Sequence, residues 1–274
     1  MKIVILCGGQ GTRIRDVSEL LPKPMLPIGG KPLLWHIMKI YAQYGFRDFV
    51  LCLGYKGWVI KEFFLNYHAK TSDFTIRLGE KDSITFHSEN KEADWQVTFA
   101  DTGEESQTAA RLWRVREYLN DNEIFGVTYG DGVADINVAQ LVSAHKKSKL
   151  LATVTAVKPL GRFGEIEVEG SHICEFNEKP NVSSGMINGG FMVFHKKVFD
   201  TYFRKNANQS LESDILPQMV KDRKVGVYHH RGFWQCVDTP REYNVLNQLW
   251  DTNKAPWKIW EEKQTANSGK ISAS

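Results

Sequence analysis

The chain has 274 residues, 35 Lys and Arg against 32 Asp and Glu, 42% hydrophobic and 12% aromatic residues, and a formal net charge of +3. That balance supports a sizeable apolar core and excludes a disordered chain, and no charge run is long enough for a nucleic-acid arm. The longest apolar runs, 3–7 and 49–53, are far short of the roughly 20 residues that cross a bilayer. The first follows a single Lys and runs into glycines, unlike a secretory signal. Cys7, Cys52, Cys174 and Cys236 show no C-x-x-C and no pairing framework, so they read as small apolar residues of a reducing compartment. The expectation is a cytoplasmic protein whose partners include neither nucleic acid nor membrane.

In chain order, residues 2–7 form a short β-branched apolar run that stops at two glycines, the pattern of a strand buried on both faces. Residues 33–44 carry helical spacing, with Gly45 as the stop, and 49–53 is a second buried strand closed by Gly54. A helix is predicted over 58–67. Strand and helix alternating at this spacing imply βαβ units and a mostly parallel sheet, hence an α/β fold. Residues 71–99 alternate polar and apolar and predict short antiparallel strands, an inserted arm. Helix returns at 108–119, strand at 124–129, an amphipathic helix around Val138, Leu141, Val142 and His145, and strand at 151–157. Antiparallel strands and loops are expected over 165–193, then helices near 196–203 and 212–220, a strand at 225–229 and a helix over 240–250. Residues 1–260 are expected to form one domain, and the small polar residues of 261–274 a disordered tail.

The turn Gly8-Gly9-Gln10-Gly11-Thr12-Arg13 follows the first strand, where a parallel sheet places its ligands. Its glycines let backbone N–H groups approach an anion closely, and Arg13 adds a fixed positive fork. It is not a Walker loop, which ends Gly-Lys-Ser/Thr, nor a dinucleotide fingerprint, whose closing position is here Ile14. In Pro22-Lys23-Pro24 two prolines stiffen the backbone around Lys23, an ammonium suited to stabilising charge during phosphoryl or nucleotidyl transfer. Alone, Lys23 reads better as a surface lysine in a Pro-rich turn.

With these two motifs the chain resembles the sugar-phosphate nucleotidylyltransferases. The likeness runs through residues 31–39, 54–57, Gly130-Asp131-Gly132, 161–164, 187–191 and 255–258, and is narrowest toward members that use CTP and glucose 1-phosphate. The resemblance implies a Rossmann-like mixed, mostly parallel sheet flanked by helices, with antiparallel insertions. It implies transfer of a cytidylyl group from CTP to α-D-glucose 1-phosphate, giving CDP-glucose for deoxysugar and surface-polysaccharide (O-antigen) synthesis, with Mg²⁺ as cofactor and a homo-oligomer, a hexamer, as the assembly. Arg13 and Lys23 would be catalytic. Leu6, Cys7, Gly8, Gly9, Gln10, Gly11, Thr12, Arg13, Lys23, Ser106, Arg111 and Gly130 would contact the nucleotide, and Glu178, Lys179, Asn188 and Gly189 the sugar phosphate. Where the family pattern has two glycines this chain has Ala109 and Ala110, which leaves the base or ribose contact beside them open.

Asp131, between two glycines at a strand end, and Asp238, at another strand end before a helix, could share a Mg²⁺ with phosphates. Read alone, Asp131 is equally a turn residue and Asp238 equally a helix N-cap; the resemblance assigns both to the metal. Ser106 or Thr108 could also cap the following helix, and Trp234, Trp257 and Trp260 suit core better than base stacking. The residues leave open the same reaction with UTP, dTTP, GTP or ATP, and a non-catalytic nucleotide-sugar sensor on the same scaffold.

Overall fold

A computed structural model of the chain describes residues 1–9, 20–79, 83–119, 121–159, 165–169, 172–177 and 185–260, of which 165–169 and 172–177 are described by backbone alone. The central sheet has seven strands: β1 (Ile3–Leu6), β2 (Asp48–Leu53), β3 (Gln96–Asp101), β4 (Ile124–Tyr129), β5 (Ala152–Val157), β6 (Ile187–His195) and β7 (Val225–His229). Their spatial order is β7-β5-β6-β4-β1-β2-β3. β1 pairs in parallel with β2 and β4, β2 with β3, and β5 with β7, whereas β6 is antiparallel to both β4 and β5. The mixed, mostly parallel sheet expected from the sequence is present.

The sheet separates two apolar cores, and alternation within each central strand feeds both. Ile3 and Ile5 of β1, and Phe49, Leu51 and Leu53 of β2, face one core; Val4, Leu6, Val50 and Cys52 face the other. Helix α1 (Leu33–Gln43) lies in the first core with Leu33, Leu34, Ile37, Met38 and Ile40 fully buried. It stops where Gly45 takes φ +83, the left-handed conformation that glycine adopts most easily. Trp257, fully buried, and Trp260, nearly so, pack in the same core around the imidazole of His36, so these tryptophans are core residues. Each such buried aromatic contributes on the order of 2–3 kcal/mol.

Helix α2 (Gly57–Leu65) is followed by a separate short helix, Tyr67–Thr71, in place of the single helix expected over 58–67. Helix α3 (Thr108–Val115) tightens to 3₁₀ over Arg116–Leu119. The helix expected near 196–203 is reduced to Val198–Thr201. That near 212–220 becomes a π-helical turn, Leu211–Ile215, leading into Leu216–Lys221; Pro217 has no N–H for the Ser213 carbonyl, and the turn before it is wide. The expectation over 71–99 is corrected in part. Phe74–Ile76 and Ile84–Phe86 do form an antiparallel hairpin, but residues 96–101 belong to the central sheet as its parallel edge strand β3. Their polar–apolar alternation reflects an edge with one face exposed, which says nothing of strand direction. The backbone of Glu165–Glu169 pairs antiparallel with that of His172–Asn177, as anticipated. No helix among the described residues is long and apolar enough to cross a membrane.

Candidate active site

β1 ends at Leu6, Cys7 donates its N–H to the Cys52 carbonyl at 3.0 Å, and the chain then turns away at Gly8-Gly9. A cavity of about 270 Å³ opens there at the carboxyl ends of the parallel strands. Leu6, Cys7, Gly8, Gly9, Lys23, Ser106, Arg111, Gly130 and Asp131 line it, with Pro24, Gln107, Thr108 and Tyr129. Residues singled out from three distant stretches of sequence therefore share one wall. Gln10, Gly11, Thr12, Arg13, Glu178 and Lys179 lie outside the described residues. A larger cavity of about 590 Å³ behind residues 103–106 shares Ser106 but holds neither Lys23 nor an aspartate of the pair.

The electrostatic centre of the site is Lys23. Its Nζ donates to Asp131 Oδ2 at 3.1 Å and to Asp238 Oδ1 at 2.7 Å, so the two carboxylates converge on one cation position. Burial alone would pull the Lys23 pKa down; Asp131 and Asp238 more than offset it and hold it above the ordinary lysine value. A two-stranded ribbon explains the convergence. Gly132–Ala134 pairs antiparallel with Trp234–Cys236, Gly132 opposite Cys236, and the Val237 N–H closes onto the Asp131 carbonyl at 2.8 Å. The helix that follows, α4 (Pro240–Asp251), is capped by Thr239, whose Oγ1 accepts from Glu242 N–H while Glu242 accepts from Thr239 N–H. That capping box, worth about 1 kcal/mol, relieves Asp238 of the N-cap role and leaves its carboxylate facing Lys23.

Two carboxylates from separate loops, already sharing a cation in the form of an ammonium, form a hard-oxygen donor set that fits Mg²⁺ with phosphate and water completing the shell. Cys236 Sγ is 3.7 Å from Asp238 Oδ2, but burial, with Asp238, Glu242 and Asp131 adding to it, pushes its thiol up to about 12. The protonated thiol donates to that carboxylate.

Arg111, of which a nucleotide contact is expected, lines the cavity and is also held by the chain itself. Its side chain is buried, and Nη1 donates to Leu53 O, Thr102 Oγ1 and Gly103 O at 2.8–3.1 Å, Nη2 to Gly8 O and Glu104 O at 3.0 Å. The terminal nitrogens are spent on the chain's own carbonyls and one hydroxyl, tying the glycine turn to the 102–104 loop. Gly8 is what admits the guanidinium: a Cβ there would stand 2.1 Å from Nη1. Neither Ser106 nor Thr108 caps α3, whose N-cap is Gln107 with no side-chain bond. Ala109 and Ala110 are buried and absent from the 270 Å³ cavity wall, so their methyl groups do not obstruct it.

Asn188 and Gly189 begin β6 beside Tyr129. Asn188 Nδ2 reaches the Tyr129 hydroxyl at 3.5 Å, and Trp234 Nε1 donates to the Gly189 carbonyl at 2.7 Å. Tyr129, which lines the cavity, and Glu212, hydrogen-bonded to it, are not singled out from the sequence. Tyr129 lies within the stretch that includes Gly130-Asp131-Gly132 and could have been found by asking what precedes the carboxylate. Glu212, hydrogen-bonded to Tyr129 and Thr108, carries no local signal, being brought in from another part of the chain.

The chain is similar to known nucleotidyltransferases. The family model described as nucleotidyl transferase matches residues 2–252. A glucose-1-phosphate cytidylyltransferase from Salmonella typhi is 44% identical over 95% of this chain and 100% of its own. A probable glucose-1-phosphate cytidylyltransferase from Bacillus subtilis is also 44% identical, over 95% of this chain and 100% of its own. Among solved structures, a putative glucose-1-phosphate thymidylyltransferase from Bacillus anthracis superposes with a TM-score of 0.67 at 19% identity, covering 96% of this chain and 98% of that one, a likeness of fold.

Proposed function

Because the chain belongs to the nucleotidyl transferase family, we propose that it transfers a cytidylyl group from CTP to α-D-glucose 1-phosphate, forming CDP-glucose and pyrophosphate. Relatives of that name are 44% identical over their full lengths, and the observation that carries the reading is the Lys23 ammonium between Asp131 and Asp238 at the mouth of the glycine turn. An oxygen of the sugar phosphate attacks the α-phosphorus of CTP. The bond from that phosphorus to the bridging oxygen breaks, and its electron pair departs with pyrophosphate. The nucleophile is already an anion, so no side chain need abstract a proton, and positioning and cationic stabilisation are the remaining tasks.

In this reading the backbone at Gly8 and Gly9 takes the triphosphate, and Lys23 and Arg13 carry the developing charge. Asp131 and Asp238 hold Mg²⁺, which when bound neutralises triphosphate oxygens. Ser106 faces the nucleoside, and Glu178, Lys179, Asn188 and Gly189 take the sugar phosphate. Arg111 acts on the nucleotide indirectly, by fixing the turn. We further propose that the protein works in the cytoplasm, supplies CDP-glucose for surface polysaccharide, and assembles as a homo-oligomer through the hairpin 74–86. That hairpin exposes Phe74, Ile76 and Ile84 by 41–47% each. The test is pyrophosphate release and nucleotide-sugar formation by purified protein with Mg²⁺, glucose 1-phosphate and each of CTP, UTP, dTTP, GTP and ATP in turn. A clear preference for CTP is expected; preference for UTP, or no product, overturns the reading.

A further inference from the structure

Glu212 stands in the widened turn Leu211–Ile215, yet its carboxylate is where three hydroxyls meet. Tyr129 Oη donates to Oε1, and Thr108 Oγ1 and Ser210 Oγ donate to Oε2 at 2.6 and 2.7 Å. Each hydroxyl is an acceptor elsewhere. Ser210 Oγ receives the N–H of Glu212 at 3.1 Å and of Ser213 at 3.3 Å, Thr108 Oγ1 that of Leu211 at 2.8 Å, and Tyr129 Oη the amide of Asn188 at 3.5 Å. The hydroxyl protons are therefore committed to Glu212, and both carboxylate oxygens are needed as acceptors. Burial works to raise the Glu212 pKa, but the hydroxyls of Thr108, Tyr129 and Ser210 outweigh it and hold the group below the ordinary carboxylate range. The acid is thus ionised at neutral pH.

Two of those hydroxyls belong to the wall of the 270 Å³ cavity, Thr108 on the side of Ser106 and Tyr129 on the side of Asp131. The Tyr129 ring also seats the start of β6. Gly190 takes φ +81, and a Cβ there would stand 2.6 Å from the ring, so ring and backbone are in direct contact. Asn188 Oδ1 accepts the Gly190 N–H at 2.9 Å, which turns its Nδ2 toward the Tyr129 hydroxyl at 3.5 Å.

We propose that Glu212 is a positioning residue for the sugar phosphate: by fixing the direction of the Tyr129 hydroxyl it helps to set the Asn188 amide and the start of β6, where the sugar phosphate would be held. This rests on the reading of Asn188 and Gly189 as the sugar-phosphate side of the site. A glutamine cannot replace the acid. With both oxygens receiving hydroxyl protons, an amide sets a donor against a donor on one side or the other.

The test is steady-state kinetics of Tyr129→Phe, Glu212→Gln and the double variant, with KM measured separately for CTP and glucose 1-phosphate and thermal midpoints recorded alongside. Tyr129→Phe removes one oxygen and retains the ring on Gly190, so it tests the link even if Glu212→Gln folds poorly. Both single variants are expected to raise KM for glucose 1-phosphate roughly tenfold, the effect of one charge-assisted hydrogen bond lost from a binding contact. Tyr129→Phe should leave KM for CTP within about twofold, and the double variant should be no worse than the poorer single one, as for two residues acting through one path. An unchanged sugar-phosphate KM, equal rises in both KM values, or additive losses overturn the positioning role while wild-type turnover leaves the proposed reaction standing. Absence of wild-type product with every nucleotide overturns both.

Discussion

Lys23 and Asp238 lie 215 positions apart in sequence and meet at 2.7 Å. The same ammonium holds Asp131 at 3.1 Å, so one side chain neutralises both acids that the proposed chemistry assigns to a divalent ion. An ion taken up by the same pair would compete with the Lys23 ammonium for the carboxylates' negative charge.

Replacing Lys23 by Met separates these roles. Turnover should fall by about two orders of magnitude or more, the usual scale for losing one charge-stabilising group. In EDTA the variant should also melt below wild type, because two part-buried carboxylates lose their partner. Added Mg²⁺ should then raise its melting temperature more than that of wild type, since no tethered cation competes. Equal Mg²⁺-induced shifts in scanning fluorimetry would show that Lys23 and the ion do not exchange.

Asp131→Asn with Asp238→Asn should abolish Mg²⁺-dependent product formation and with it the Mg²⁺-induced thermal shift. Titration with Mn²⁺ followed by electron paramagnetic resonance reads the loss without turnover. Retained metal binding in the double variant would place the ion elsewhere.

Arg111→Met should behave as a core substitution. It takes the guanidinium from the carbonyls of Gly103 and Glu104, and one of several donors from those of Gly8 and Leu53, which keep the Tyr55 and Thr102 N–H groups, and a loss of about 3–5 kcal/mol in urea unfolding is expected for breaking a buried charged network. Unfolding unchanged by the substitution would return Arg111 to the role of a direct phosphate contact.

Two buried histidines predict acid sensitivity. His36, between the Ile28 carbonyl and the indole N–H of Trp257, and His145, beside Thr153, are both lowered by burial to about 4 from 6.5. Each is neutral when folded, so the unfolded chain binds protons first as pH falls. The stabilisation is complete above about pH 6.5 and drains away down to about pH 4, by at most about 3 kcal/mol per residue. Melting curves across that window should show the decline, and His36→Gln with His145→Asn should flatten it; a decline undiminished in the double variant would assign it to other groups.

Charge placed on the hairpin tests the assembly. Ile76→Asp with Ile84→Asp should reduce the particle mass seen by light scattering to that of one chain, leaving the fold intact by circular dichroism, because both side chains are about half exposed. An oligomer that survives both charges must use another face.

What the sequence made legible was local. The run Ile3–Leu6 announced a strand buried on both faces, Gly45 a helix stop, and Gly130-Asp131-Gly132 a carboxylate at a strand end. What stayed hidden depends on partners far along the chain. The direction of β3 is set by its pairing with β2, which its own alternation does not encode. The guanidinium of Arg111 resembles any nucleotide-facing arginine until Gly8 is placed against it. Glu212 becomes meaningful only once Tyr129 and Thr108 are beside it. Asp238 stood midway: two roles fitted its position, and the cap supplied by Thr239 removes one of them, that of helix N-cap.

The ribbon joining Gly132–Ala134 to Trp234–Cys236 also imposes an order on biosynthesis. A nascent chain can lay down β1, β2 and β4 and expose the glycine turn long before Asp238 leaves the ribosome. Until then Asp131 has no second carboxylate beside it, and the contact of Trp257 with His36 comes later still. Chains that stop short of Asp238 are therefore barred from assembling the two-acid centre.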